Sequence, residues 1–167
     1  DTQQKSEPIA VEAAHKEASF EAPPVIDNTS PDKALKSYWS VVDWKKRLAA
    51  EKHKETLQSK QFKLSDETYA MVVTPEVSGN RKIYPVETFD REIIEAKVET
   101  DTRAVINAVI RNSTPIPDGA DVTAYDRKRR EQGNRFRYVL ERSQDGWKVA
   151  EIWECDQFYD KKWTKNS

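Results

Sequence analysis

The sequence is poor in the residues that build metal sites and disulfide frameworks. It contains one cysteine, Cys155, and two histidines, His15 and His53. A single cysteine cannot form an internal disulfide, and no cluster of His, Asp or Glu has the spacing of metal ligands. His15 lies in a polar N-terminal segment and His53 lies at a polar helix end, so neither is a candidate base. We therefore expect no metal and no cofactor, and we expect Cys155 to be a small buried hydrophobe.

Long apolar runs and an excess of charge of one sign are also absent. No run approaches the about 20 residues of a membrane-spanning helix, and the formal net charge is −1. The basic run Arg127–Arg130 is diluted by Asp126 and Glu131, and only Tyr125 supplies an aromatic side chain nearby. Nucleic-acid surfaces need more aromatic and basic residues than this. The run therefore predicts a solvated segment or a contact for an acidic partner, and we expect no nucleic-acid partner.

The N-terminal residues 1–29 have the composition of a tail. They mix Gln, Ser, Glu, Ala and Pro, and they contain more acidic than basic side chains and few large apolar ones. Such a segment buries too little apolar surface to offset its ordering entropy. We expect a flexible acidic tether over residues 1–29, in which Ile9–Phe20 could form a short helix, and one folded domain over residues 30–167.

The first residue is Asp1 rather than Met. A cleaved signal peptide or a trimmed chain explains this. A removed signal segment followed by a polar spacer is typical of a bacterial lipoprotein. The hypothesis is an exported protein, periplasmic or associated with the outer membrane, that contacts a membrane only through a lipid anchor preceding Asp1.

The folded part begins with a strong helix signal. Ser30 is a favoured N-cap, and Pro31 at the first helical position loses no hydrogen bond. Apolar residues then recur at helical spacing, which predicts a helix from Pro31 to about Lys54. The helix carries Trp39 and Trp44, so its apolar face needs a wide cover such as a curved sheet.

A shorter second helix is predicted after a polar connection at Leu57–Leu64. Ser65 could cap this helix, which would run over Asp66–Val73 with Tyr69, Val72 and Val73 turned inward. Thr74-Pro75 would end it.

Residues 89–114 predict two antiparallel strands joined by a turn at residues 99–102. Small and aliphatic side chains alternate on one face of the second strand, at Ala104, Ile106, Ala108 and Ile110. Clean alternation with small residues indicates that a helix packs closely on that face. Asn107 lies on the opposite face between two valines, where it could line a pocket.

The segment Asn134–Asp156 predicts a β-hairpin around Asp145-Gly146, which is among the strongest hairpin signals. Along the second strand, Trp147, Glu151 and Trp153 have the same parity, so we expect them on one face as a pocket wall or an interface. The charged residues 121–132 before the hairpin predict a solvated excursion or a short helix that ends at Gly133. After the hairpin, Trp163 could dock the end of the chain.

This order of elements resembles the nuclear transport factor 2-like superfamily, also called the cystatin-like α+β cone. The resemblance covers about residues 30–159 and is carried by Ser30–Trp39, by the strand pair Ile94–Ile110, and by Phe136–Leu140 with Gly146–Val149. It implies an α+β fold with a long N-terminal helix packed on a strongly curved antiparallel sheet, around a conical cavity. The charged insertion at residues 121–132 departs from the compact form of this pattern.

The superfamily includes isomerases and cyclases as well as adaptors and assembly subunits, so the fold does not choose a function. Its enzymes usually place an acid or histidine base near a Tyr in the cone. The resulting pocket or interface candidates are Trp39, Asp43, Tyr84, Asn107, Arg137, Tyr138, Trp147, Glu151 and Trp153. Each acid is better explained as an ion-pair or rim residue facing Arg103, Arg135 or Arg137, and Arg137 with Glu151 could pair across the hairpin.

We therefore expect a non-enzymatic binding domain or assembly subunit that contacts a protein partner or forms a homodimer through its open sheet face. The alternative is a small-molecule binder or an enzyme of the isomerase or cyclase type, with Asp43 or Glu151 as a carboxylate in the cone. A cone filled by Trp39, Trp153 and aliphatic side chains would weigh against that alternative.

Overall fold

A computed structural model describes residues 20–79, 85–157 and 161–167. Most of the predicted short helix Ile9–Phe20 and the candidate Tyr84 lie outside these ranges.

The first helix, α1, spans Pro31–Gln58 and begins at the predicted proline. Ser30 occupies the N-cap position, but its hydroxyl donates to the Asp32 carboxylate at 2.7 Å instead of capping a backbone N–H. The helix ends at Gln58 rather than near Lys54, because Ser59 adopts an extended conformation.

Two shorter helices follow, α2 over Lys60–Ala70 and α3 over Pro75–Ser78. The predicted connection at Leu57–Leu64 is wrong, since Ser59 accepts a hydrogen bond from the Phe62 N–H at 3.2 Å and starts α2 before Ser65. Lysine and glutamine are good helix formers, so the polar composition of this stretch does not indicate a loop. Tyr69 and Val72 are also not turned inward, and Val72 is 78% exposed.

The sheet in the described residues has five strands in the order β1-β2-β3-β4-β5, with every neighbouring pair antiparallel. The strands are β1 Phe89–Thr100, β2 Arg103–Asn112, β3 Asn134–Ser143, β4 Gly146–Cys155 and β5 Trp163–Lys165. A fourth helix, α4, spans Ala124–Gln132 between β2 and β3. The predicted strand pair, the hairpin and the short charged helix are therefore confirmed.

The core lies between α1 and one face of the sheet. Leu35 of α1, Ile106 of β2 and Leu140 of β3 are fully buried. Ala104 and Ala108 flank Ile106 on the same face and are each 1% exposed, which confirms the close helix contact predicted from the small residues. The α+β class with a long helix packed on a curled antiparallel sheet is thus confirmed.

A β-bulge in β4 changes which residues face the helix. Leu140 pairs with Val149 and Val139 pairs with Glu151, so Ala150 is the extra residue. An extra residue shifts the alternation of the residues that follow it. Trp147 therefore lies in the core, whereas Glu151 and Trp153 lie on the opposite face. The predicted common face of Trp147, Glu151 and Trp153 is wrong.

Both ends of the described chain attach to β4. The Trp147 N–H donates to the Asn28 carbonyl at 3.0 Å, and the Ile152 N–H donates to the Ser167 carbonyl at 2.6 Å. The short strand β5 pairs with the end of β4, where Cys155 lies opposite Trp163. The expected docking of Trp163 and the burial of Cys155 are confirmed.

Residues 20–29 lie along α1 and are called the N-terminal strap here. Near one end, the Trp44 indole N–H donates to the Glu21 carbonyl at 3.0 Å, and Arg47 donates two hydrogen bonds of 2.8 Å to the Glu21 carboxylate. Near the other end, the Asp27 N–H donates to the Ser37 hydroxyl at 2.9 Å. This part of the predicted tail therefore packs on the domain.

We expect acid to loosen the strap. The Arg47 hydrogen bonds hold the pKa of Glu21 below its ordinary 4.5, and the Thr29 hydroxyl holds the pKa of Asp27 below its ordinary 3.8. Both pKa values are lower in the folded state than in the unfolded state. The ionised carboxylates therefore stabilise the packed strap above the ordinary pKa values, and this stabilisation is lost as the pH falls below them. Hydrogen exchange of the Trp44 indole N–H, followed by NMR, should accelerate below pH 3.8 beyond the change in intrinsic rate.

The matched control for this experiment is the double variant Glu21→Gln/Asp27→Asn, which no longer titrates at these positions. Its Trp44 indole should already exchange faster at pH 6, with little further acceleration on acidification. Equal pH profiles for the two proteins would contradict the assignment of the effect to the strap carboxylates.

Candidate functional site

Aromatic side chains form much of the core between α1 and the sheet, and a groove of about 540 Å³ stays open between α1 and β4. The Trp39 indole N–H donates to the Tyr138 hydroxyl at 3.1 Å, and the two ring centroids are 5.8 Å apart. Phe136 stacks on Tyr138, and Tyr38 meets it edge to face. Burial raises the pKa of Tyr138 to about 12. The phenol therefore stays neutral at ordinary pH, and its role in this geometry is to pack and to accept a hydrogen bond.

The candidate acid Asp43 is an ion-pair partner. Arg91 of β1 donates to both of its carboxylate oxygens, at 2.8 and 2.9 Å. The Arg91 guanidinium also lies over the rings of Phe89 and Trp39, at 5.4 and 5.7 Å from their centroids. The predicted ion-pair role of Asp43 is confirmed, but its partner is Arg91 rather than one of the three predicted arginines.

The remaining polar candidates meet on the sheet face opposite α1, called the outer face here. The Arg137 Nε donates to the Asn107 Oδ1 at 3.1 Å, and the guanidinium lies 4.3 Å from the centroid of the Trp163 ring. Trp153 lies opposite Arg137 in the β3–β4 register. These side chains line an open groove of about 450 Å³.

Glu151 lies in the same groove but does not pair with Arg137. Its carboxylate binds the Lys165 ammonium of β5 at 3.1 Å. The predicted cross-hairpin pair is wrong, since Glu151 lies opposite Val139 and Arg137 lies opposite Trp153.

The charges that line the outer-face groove are balanced. Three are acidic and three are basic, at Glu95, Glu99, Glu151, Lys97, Arg103 and Arg137. Only Arg103 and Glu99 pair with each other among these, at 3.0 Å. Val105 and Val139 form the apolar floor of the groove together with the tryptophans.

The structure thus separates the candidates into groups. Asn107, Arg137, Glu151 and Trp153 share the outer-face groove, Trp39, Tyr138 and Trp147 lie in the core, Asp43 joins α1 to β1, and Tyr84 lies outside the described residues.

A second cavity, of about 590 Å³, was not predicted from the sequence. It lies between α4, the loop of residues 113–123 and the adjacent ends of β2, β3 and β4, and is called the α4 cavity here. Its lining includes Phe89, Ile110, Asn112, Ile116, Val122, Asp126, Arg129, Arg130, Asn134, Phe136 and Glu154. In the sequence, the cavity corresponds to the charged insertion at residues 121–132. Composition alone predicts that this insertion is a solvated segment.

Within the described ranges, no group of three or more His, Cys, Asp or Glu side chains is arranged to hold a metal ion. No helix in those same ranges combines the length and apolarity needed to cross a membrane.

Comparisons of the chain with protein-family models, with curated proteins and with solved structures found no match in any of the three. The class of the protein is therefore given by its architecture, an α+β domain with a long helix packed on a five-stranded antiparallel sheet.

Proposed function

We propose that this chain is a non-enzymatic binding domain of the nuclear transport factor 2-like kind, which associates with a second copy of itself through the outer face. The observation that carries the proposal is the outer-face groove, where two partly buried tryptophans, Trp153 and Trp163, lie beside Arg137. Tryptophan and arginine are the residues most enriched at the energetic centres of protein interfaces.

The balanced charges of this groove favour a second copy as the partner. A two-fold symmetric interface presents the same surface on both subunits, so each patch must be complementary to itself. A groove with three acidic and three basic side chains can meet that condition, whereas a groove of one sign repels its own copy. Lys97 and Glu95, both on β1, are exposed and lie at the edge of the groove, where they can contact the opposite subunit.

The interior favours binding over catalysis. A carboxylate base of a cone enzyme needs an apolar pocket and access to a substrate. Here Asp43 is held by Arg91 with both oxygens, Glu151 lies on the outer face, and Trp39 and Tyr138 pack in the core between helix and sheet. Export to the periplasm stays a prediction from the sequence.

Opposite charge reversals on the outer face test the proposal. Lys97→Glu makes the groove net acidic, and Glu95→Lys makes it net basic, so two copies of the same variant should repel each other. The dimer of each variant should be at least about tenfold weaker than that of the unchanged chain, which is equivalent to about 1.4 kcal/mol. Mixing the two variants should restore association as a heterodimer. Sedimentation equilibrium at several concentrations and at low salt measures both effects.

The control is Lys128→Glu on α4, which makes the same change in net charge away from the outer face. It should leave the dimer constant unchanged. The proposal is overturned if the unchanged chain is monomeric throughout the concentration series, or if Lys97→Glu behaves like Lys128→Glu.

A further inference from the structure

The α4 cavity has the size and the wall chemistry of a small-molecule site. Its volume of about 590 Å³ falls within the roughly 300–1,000 Å³ of ligand pockets. One side is apolar, with Phe89, Ile110 and Phe136 on the sheet and Ile116 and Val122 on the loop. The other side carries amide and guanidinium groups. A ligand could therefore place its apolar part against the first side and its polar group against the second.

Of the two arginines that line the α4 cavity, Arg130 is the one whose guanidinium has no carboxylate partner among the described residues. It is partly buried, and its Nη1 donates to the Thr114 carbonyl at 2.6 Å, which fixes the guanidinium against the loop. The neighbouring Arg129 has a carboxylate partner in Asp156, at 3.8 Å. No described carboxylate lies within ion-pair distance of Arg130, so the donors of its guanidinium are not committed to an acid.

Of the other polar groups in the cavity, Asn112 offers a hydrogen-bond donor, and the carboxylate of Glu154 is held by neighbouring amides. Glu154 accepts amide hydrogen bonds from Asn134 at 3.1 Å and from Asn166 at 2.9 Å, which occupy both of its oxygens. Asn112 uses its Oδ1 to accept the Thr114 N–H at 2.9 Å, so its amide N–H₂ remains to donate. Asp126 is exposed in the first turn of α4, where the helix N-terminus favours its negative charge.

We propose that the α4 cavity binds a small organic carboxylate with an apolar body. The carboxylate accepts hydrogen bonds from Arg130 and Asn112, and the apolar body packs on Phe89, Ile110 and Phe136. Guanidinium–carboxylate contacts are charge-assisted and can be bidentate, which makes arginine the suitable anchor for this group. The site is independent of the outer face, so either proposal can fail without the other.

The probe for this site is 4-phenylbutyrate, compared with its neutral amide, 4-phenylbutyramide. Titration of the isotopically labelled full chain, followed by NMR, should give saturable shifts at Arg130, Asn112 and Phe136. The amide should bind about 10–100-fold more weakly, because a hydrogen bond to a charged group is worth about 1.5–3 kcal/mol. No saturable shift with the acid, or equal affinity for the acid and the amide, overturns the proposal.

Two glutamine variants on α4 separate the anchor from the general charge of the helix. Arg130→Gln keeps a donor for the Thr114 carbonyl but removes the cation. The affinity for 4-phenylbutyrate should therefore fall about tenfold or more. Arg127→Gln removes the same charge from an exposed position outside the cavity lining and should leave the affinity unchanged. Equal affinities for Arg130→Gln and Arg127→Gln contradict the assignment of Arg130.

Discussion

Trp147→Ala is expected to lower the free energy of unfolding by about 3–5 kcal/mol, the usual cost of truncating a buried tryptophan. Trp147 is 6% exposed and belongs to the core cluster that joins α1 to the sheet. Its hydrogen bond to Asn28 is made by the backbone N–H, which alanine retains, so we expect the loss to report mainly the side chain. For a chain of this length the melting temperature should fall by roughly 6–20 °C, measured by calorimetry.

Trp153→Ala is the matched control, because it removes the same side chain from the same strand on the other side of the bulge. Trp153 is partly exposed on the outer face, so its replacement should cost only about 1–2 kcal/mol. Similar losses for the two variants would contradict the placement of the bulge at Ala150.

Gly133→Ala is the second substitution with a large expected effect. Gly133 ends α4 with φ 68° and ψ −175°, a conformation that only glycine adopts readily. A Cβ at this position would lie 2.5 Å from the Ile110 carbonyl oxygen and 2.8 Å from the Arg111 Cγ. Backbone strain and the clash together should cost about 2–5 kcal/mol, seen as a lower midpoint of denaturant unfolding.

Gly119→Ala separates strain from clash. Gly119 also has a positive φ, of 78°, but nothing lies within 4 Å of the site of its Cβ. It should therefore show only the strain, about 1–2 kcal/mol. If both variants lose the same free energy of unfolding, the close approach of α4 to β2 does not contribute to stability.

If the approach of α4 to β2 does contribute, Gly133→Ala should also weaken 4-phenylbutyrate binding, because α4 forms one wall of the cavity.

The elements that the sequence predicted well depend on local signals. Pro31 marks the start of α1, and Asp145-Gly146 marks the turn of the hairpin, because a fixed φ and a tight turn restrict the backbone by themselves. The alternation from Ala104 to Ile110 predicted the helix-facing side of β2, since each residue of a regular strand reverses direction. These features need no knowledge of the rest of the chain.

The errors concern features that depend on distant residues. Ala150 carries no mark of a bulge, because the bulge is defined by the register with β3. Asp43 pairs with Arg91, 48 positions away, and only the packing of α1 on β1 brings them together. The α4 cavity forms between an insertion and strand ends, so the charges of the insertion do not reveal it.

The arrangement at β4 has a consequence for solubility. An exposed strand edge offers its backbone groups as a template on which other chains can aggregate. Here the strap covers that edge at Trp147 and the C-terminal residues cover it at Ile152, while the bulge at Ala150 disrupts the short stretch between them. The strap and the C-terminal residues therefore protect the edge of β4 from pairing with other chains. A truncation that removes Asn28 would expose this edge at Trp147.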